Sequence, residues 1–199
     1  MPIVASRLRF LAMIMALFVG LGVAQAQDAR SQEGTVIGTI EATLNGEAGT
    51  WYVLEFATAE GPQATASWSS IMGVMLNLSL QSHPQRRYAL EKTLSLEFSL
   101  YSPPSDCPCS YGSEQVSAMY WPESSMLQNV HVSDAGGSAE GTITTFEEIS
   151  EGVYRLEGTF SAEMPLLPQM NAEPDMSQVA TIEGSFVVER LPELDIEMP

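Results

Sequence analysis

Apolar and polar side chains alternate one by one along several segments of this chain. In LNLSL, residues 76–80, leucine occupies every second position, and TLSLEFSL at 93–100 repeats the period. Successive side chains of an extended strand point to opposite faces of a sheet, so this period predicts half-buried antiparallel strands rather than helices. The segments at 36–44, 153–164 and 179–190 follow the same pattern.

Turn signals separate these segments. Asn45-Gly46 favours a two-residue hairpin, because both residues tolerate positive φ, and a second hairpin is expected around 150–152. A sheet with one apolar face must bury that face against another sheet or against itself. The fold class that we predict is therefore all-β, an antiparallel sandwich or closed barrel of about eight to nine strands.

Two of the strand segments share a short motif, LEGTF at 156–160 and IEGSF at 182–186. In each copy the aliphatic residue, the glycine and the phenylalanine lie on one face of the strand. A small glycine beside a bulky phenylalanine relieves crowding where a sheet bends. We expect the two strands to occupy similar positions in the fold, and five residues are too few to indicate a duplicated domain.

The N-terminal residues have the features of a secretory signal peptide. Arg7 and Arg9 precede an apolar run at 10–24, and a small-residue cleavage pattern ends at Ala26. The apolar run is shorter than the roughly 20 residues that a membrane-spanning helix needs. We therefore expect residues 1–26 to be removed on export, which predicts a periplasmic or secreted bacterial protein.

The remaining chain has room for one domain with a substantial core. We expect a polar lead at 27–33, a single antiparallel β domain at 34–190, and an acidic flexible tail at 191–199. No other segment is apolar enough to span a bilayer, so no membrane span is expected in the mature chain.

Acidic residues dominate the charge balance. The chain has 25 aspartates and glutamates against 8 lysines and arginines, a formal net charge of −17 at pH 7. Phosphate backbones and anionic lipids would be repelled, so nucleic acid is excluded as a partner and lipid docking is disfavoured. A surface that keeps the protein soluble is a more common use of such charge than cation binding.

Both cysteines, Cys107 and Cys109, lie in the proline-rich segment SPPSDCPCSYG at 102–112. An even pair in an oxidising compartment predicts a disulfide, and residues two apart can meet its geometry. We expect this bond to brace the loop. The alternatives are a redox-active pair, a soft-metal clip and a bond to another chain. Asp106 would raise a neighbouring thiol pKa, which disfavours redox reactivity.

Sequence motifs for catalysis are missing: there is no G-x-S-x-G, no H-E-x-x-H and no phosphate-binding glycine loop. His131 lies three residues before Asp134, and Glu147 and Glu148 are adjacent carboxylates. These arrangements leave a secreted enzyme with carboxylate-based chemistry as an alternative hypothesis. We assign no catalytic residue and no cofactor.

A soft-metal carrier is the second alternative. Met164, Met170 and Met176 recur every six residues and could join the two thiolates as ligands for Cu(I). Methionine in an irregular apolar stretch more commonly fills gaps in a core, and the two histidines have no partner at ligand spacing. We therefore assign no metal ligand.

Aromatic residues concentrate near hairpin ends and the cysteine segment. Tyr101, Tyr111, Tyr120 and Trp121 form the candidate binding edge, because aromatic rings beside loops recognise carbohydrates and proteins. The alternative is that they close the ends of the core. We predict a binding or structural-interaction module rather than an enzyme, with an unidentified protein or carbohydrate ligand.

Overall fold

A computed structural model gives the structure of the protein and describes residues 33–71, 75–104, 107–169 and 172–194. The expected signal peptide lies outside these ranges. The described residues form strands and turns, without a helix, so the all-β prediction is confirmed. Within the same ranges, no helix is long and apolar enough to cross a bilayer.

The strands pair into a single antiparallel sheet. Their bounds are β1 Thr35–Leu44, β2 Glu47–Thr58, β3 Gly61–Ala64, β4 Ala66–Ile71, β5 Met75–Ser82, β6 Thr93–Leu100, β7 Cys109–Tyr111, β8 Val116–Trp121, β9 Gln128–Val132, β10 Ser138–Ser150, β11 Val153–Gln169 and β12 Asp175–Pro192. Their order in the sheet is β3-β2-β1-β12-β11-β9-β8-β6-β5-β4, with β10 on β11 and β7 on β10.

The described residues contain twelve strands, so the expected number of eight to nine was too low. The difference comes from short strands, such as β3 with four residues and β7 with three. Two-residue alternation cannot be recognised over so few positions, and neighbouring strands hold these segments extended instead. β7 lies within the cysteine segment and pairs with β10, where Cys109 is opposite Ile143.

Alternation identified the long strands and their buried faces correctly. Leu76, Leu78 and Leu80 of β5 are buried while the residues between them are partly exposed. The first expected hairpin is present, because Asn45 and Gly46 have φ angles of 51° and 84° and join β1 to β2. The second is present too: β10 and β11 are joined by a tight turn, with Ser150 opposite Val153.

The two copies of the short motif pair with each other. β11 and β12 are antiparallel neighbours, so Gly158 lies opposite Phe186 and Phe160 lies opposite Gly184. Each bulky ring therefore has a glycine across from it on the neighbouring strand. The rings of Phe160 and Phe186 are 6.5 Å apart in the core. The motif thus marks one reciprocal strand pair at the centre of the sheet.

The two ends of the strand order approach each other around a common core. Tyr52 of β2 and His83, which follows β5, form an antiparallel bridge whose two N···O distances are 2.7 and 2.9 Å. Trp68 of β4 bridges Glu193, just after β12. The sheet includes the first two residues of the segment 191–199, since β12 ends at Pro192 and Leu191 is fully buried.

Candidate functional site

A groove with a volume of about 1050 Å³ lies over the strands β2, β1, β12, β11 and β10. Most of its lining consists of short polar side chains and carboxylates: Glu41, Thr43, Thr50, Ser110, Glu140, Thr142, Thr159, Ser161, Glu183 and Ser185. Small-ligand sites are mostly apolar, with a few polar groups that fix orientation. This groove has the opposite composition.

A smaller cavity of about 400 Å³ has the composition of a ligand site. We call it the aromatic cleft. Its lining is mainly aromatic, aliphatic and proline side chains, with two serines: Trp68, Ser70, Met75, Leu76, Tyr101, Ser102, Pro103, Pro104, Phe146 and Tyr154. These residues come from three parts of the chain, namely the β4–β5 pair, the segment after β6, and the β10–β11 hairpin.

The turn of the β10–β11 hairpin fixes one wall of the aromatic cleft. The indole Nε1 of Trp68 donates a hydrogen bond of 2.9 Å to the carbonyl oxygen of Gly152. The ring of Trp68 is 5.3 Å from that of Tyr154, with the planes at 79°. Phe146 stacks on Tyr154 at 4.5 Å and 11°. The three rings therefore form a corner with two nearly perpendicular planes.

Tyr101 forms the solvent side of the cleft. Its side chain is 80% exposed, the largest exposed fraction among the large hydrophobic residues of the described chain. It follows the last residue of β6 and is succeeded by Pro103 and Pro104, whose rings fix φ and limit the motion of this segment. An aromatic ring so exposed leaves its faces available to a ligand.

Two carboxylates border the cleft. Glu148 lies opposite Tyr154 in the hairpin, and its Oε1 accepts a hydrogen bond of 3.2 Å from the Gly152 N–H. The Glu193 N–H donates to the Gly152 carbonyl at 3.0 Å. Burial, and then the negative charges of Glu148 and Glu193, raise the pKa of the Tyr154 phenol, so the side chain stays neutral at physiological pH.

The cysteine pair does not form the expected disulfide. The Sγ atoms of Cys107 and Cys109 are 3.6 Å apart, whereas a disulfide bond is about 2.05 Å long. Both side chains are partly buried, and Cys109 is held extended by β10. Burial, followed by the hydrogen bond and charge of Cys109, raises the pKa of Tyr111 to about 12. The pair thus packs beside a tyrosine as two thiols.

The four aromatic residues expected to form a binding edge are distributed over the sheet. Tyr101 follows one end of β6, while Trp121 lies opposite Thr93 at its other end. Eight residues of extended strand separate these ends by roughly 25 Å. Tyr111 lines the polar groove, and the ring of Tyr120 is 6.4 Å from that of His131. Only Tyr101 lines the aromatic cleft.

The residues named for enzymatic chemistry lie at opposite ends of β11. His131 pairs with Leu166, whereas Glu148 pairs with Tyr154, and twelve residues of strand correspond to about 40 Å. The His131 ring lies 3.1 Å from the Met164 carbonyl oxygen, to which a protonated Nδ1 donates. These groups therefore do not converge on one cavity.

The methionines named as copper ligands also lie in different environments. Met164 is fully buried in the core and Met176 is 56% exposed, while Met170 lies outside the described residues. The described part of the chain contains no group of three or more histidines, cysteines and carboxylates that could hold a metal ion.

Comparison with models of protein families, with curated proteins and with solved structures found no match.

A buried histidine lies behind the bridge between β2 and β5. His83 is fully buried, and its Nδ1 donates to the carbonyl oxygen of Ala89 at 2.7 Å. Its Nε2 is buried without a hydrogen-bond partner among the described residues. Burial lowers the pKa of this imidazole below its ordinary value of 6.5, because a charged ring would lose hydration.

Because the pKa of His83 is lowered by burial, we expect the folded protein to lose stability in mild acid. Because the folded-state pKa is below the unfolded one, the unfolded chain binds the proton first as pH falls through about 6.5. The free energy of unfolding should then decrease by up to about 1.4 kcal/mol per pH unit. Urea unfolding at pH 7.5, 6 and 5 measures it, and His83→Gln should flatten the dependence. A flat wild-type profile would contradict the prediction.

Proposed function

We propose that the protein is an exported binding module that holds a small ligand in the aromatic cleft. The observation that carries this proposal is the cleft itself, a cavity of about 400 Å³ lined by Trp68, Phe146 and Tyr154, with the 80% exposed Tyr101 at its solvent side. Apolar pockets with a few polar groups are the usual form of small-ligand sites.

Exposed apolar residues around the cleft support the same proposal. Leu194, 53% exposed, donates its N–H to the Trp68 carbonyl, and Tyr101 is 80% exposed at the solvent side. Clustered apolar exposure marks interaction sites more often than scattered single residues do. The cleft lining is predominantly apolar, with the hydroxyls of two serines and two tyrosines as its polar groups, so an apolar or aromatic ligand group suits it.

Two further features belong to this proposal. The secretory pattern at 1–26 supports export to a periplasm or to the exterior. The Tyr52–His83 bridge supports closure of the sheet on itself around the core, which is one of the two architectures expected from the alternation. A closed sheet holds its hairpins rigidly, and a rigid frame suits a preformed cleft.

Small probes test whether the cleft binds ligands. We expect benzyl alcohol, 3,3-dimethylbutan-1-ol or choline to shift the NMR signals of the Trp68 indole and the Met75 methyl group saturably, because both side chains line the cavity. Tyr101→Ala should weaken binding roughly threefold to tenfold, since an aromatic contact contributes about 0.5–1.5 kcal/mol.

Met126→Ala is the matched control. Met126 is also exposed, at 56%, and lies in the segment between β8 and β9 outside the cleft lining. This variant should keep the affinity of the wild-type protein. If none of the three probes shifts the Trp68 and Met75 signals, or if Met126→Ala weakens binding as much as Tyr101→Ala, the proposal is wrong.

A further inference from the structure

Two glutamates meet at one glycine beside the aromatic cleft. Gly152 donates its N–H to Glu148 Oε1, and its carbonyl accepts the N–H groups of both Trp68 Nε1 and Glu193. Glu148 and Tyr154 are cross-strand neighbours and therefore point to the same face of the hairpin. The Glu148 carboxylate is thus held beside the aromatic rings, and Glu193 Oε2 lies near the same glycine, 3.2 Å from where a Cβ atom on Gly152 would be.

No positive side chain neutralises this region in the described part of the chain. None of the residues that line the cleft is basic. The ion pairs among the described residues involve neither Glu148 nor Glu193. Arg155 is adjacent to Tyr154 in sequence, and so points to the other face of β11. It pairs there with Glu157 at 2.5 Å and with Glu189 at 3.5 Å.

Aromatic rings attract cations through the negative potential of their faces, by about 0.5–2 kcal/mol per site. Trp68 and Tyr154 present nearly perpendicular planes, and Tyr101 adds a largely exposed ring. A cation enclosed by several rings can lose its hydration only if it is weakly hydrated, which favours alkylated ammonium groups over metal ions. The protein's net charge of −17 also attracts positively charged ligands.

We propose that the aromatic cleft selects a small organic cation, with an alkylated ammonium group against Trp68, Tyr101 and Tyr154 and the carboxylates of Glu148 and Glu193 balancing its charge. This inference rests on the proposed function, because it names the ligand class of the same cleft. A cavity of about 400 Å³ has the size for a small molecule.

Choline and 3,3-dimethylbutan-1-ol provide the test, because their head groups have nearly the same shape and only choline is charged. Both are titrated into the protein while the Met75 methyl and Trp68 indole signals are followed by NMR. We expect choline to bind about tenfold more tightly than the neutral alcohol. Glu148→Gln/Glu193→Gln should remove most of this preference, because the affinity for choline falls much more than the affinity for the alcohol.

Glu47→Gln/Glu183→Gln controls for net charge. Glu183 lies ten residues before Glu193 on the same stretch of chain, about 33 Å away in an extended strand, and Glu47 is at the same end of the sheet. This control should retain the preference for choline. Equal affinities for the two probes, or equal losses in the two double variants, would overturn the inference and leave the proposed function intact. If neither choline nor the alcohol shifts the Trp68 and Met75 signals, the inference is wrong. If benzyl alcohol does not shift them either, the proposed function is wrong as well.

Discussion

Replacing Gly158 with alanine is expected to lower the free energy of unfolding by about 3 kcal/mol, at the upper end of ordinary overpacking. A Cβ atom at this position would clash with the backbone carbonyl oxygen of Thr142 and with the ring of Phe186. The ring could move, but the carbonyl belongs to the neighbouring strand β10 and cannot withdraw without disturbing the pairing. Urea unfolding at pH 7.5 measures the loss.

Gly112→Ala is the matched control for this substitution. A Cβ atom on Gly112 meets no heavy atom within 4 Å, so the same chemical change should shift the free energy of unfolding by less than about 0.5 kcal/mol. Similar losses for the two variants would contradict crowding at Gly158 as the cause, because the lower entropy of the unfolded chain after Gly→Ala replacement favours the folded state and cannot produce a loss.

The sequence predicted the local part of this arrangement. The repeated LEGTF and IEGSF motif indicated two strands where a glycine accompanies a phenylalanine, and the structure has both strands. Their direct pairing, with Gly158 opposite Phe186, depends on register between segments 28 residues apart and has no local signal. Periodicity fixes which face of a strand is buried, whereas partner and register follow from packing of the whole sheet.

The aromatic cleft was not predictable as a site for the same reason. Trp68 reaches it through a hydrogen bond to Gly152, 84 residues later in the chain, and Tyr154 lies two residues beyond that glycine. Alternation along β11 indicates only that Tyr154 shares a face with Leu156, as a core residue would. Tyr101 was identified because several aromatic residues follow it closely, yet its actual partners come from other segments.

The cysteine pair shows a second kind of feature that the sequence did not predict correctly. Composition and compartment favour a disulfide, and both criteria describe the chemical surroundings rather than the geometry of the loop. In the structure Cys109 belongs to β7 and lies opposite Ile143 of β10, and the two Sγ atoms are 3.6 Å apart. The pairing of β7 with β10 has no signal in the periodicity of so short a strand.

Phe98→Ala should produce the largest loss of stability among the variants considered, about 4 kcal/mol. Phe98 is fully buried in β6, and its ring lies 5.7 Å from Phe186 and 6.4 Å from Tyr111. The ring also covers Gly141, where a Cβ atom would come within 2.5 Å of it. A glycine has no side chain that could fill the space left by the ring, so the cavity would persist.

Tyr101→Ala is the control for this prediction, because it also removes an aromatic ring but at a position that is 80% exposed. It should change the free energy of unfolding by less than about 0.5 kcal/mol. In urea unfolding at pH 7.5, Phe98→Ala should lower the midpoint without changing the denaturant slope. Equal losses for Phe98→Ala and Tyr101→Ala would contradict a core centred on Phe98. A stable Tyr101→Ala variant would also mean that its weaker ligand binding reflects the cleft rather than unfolding.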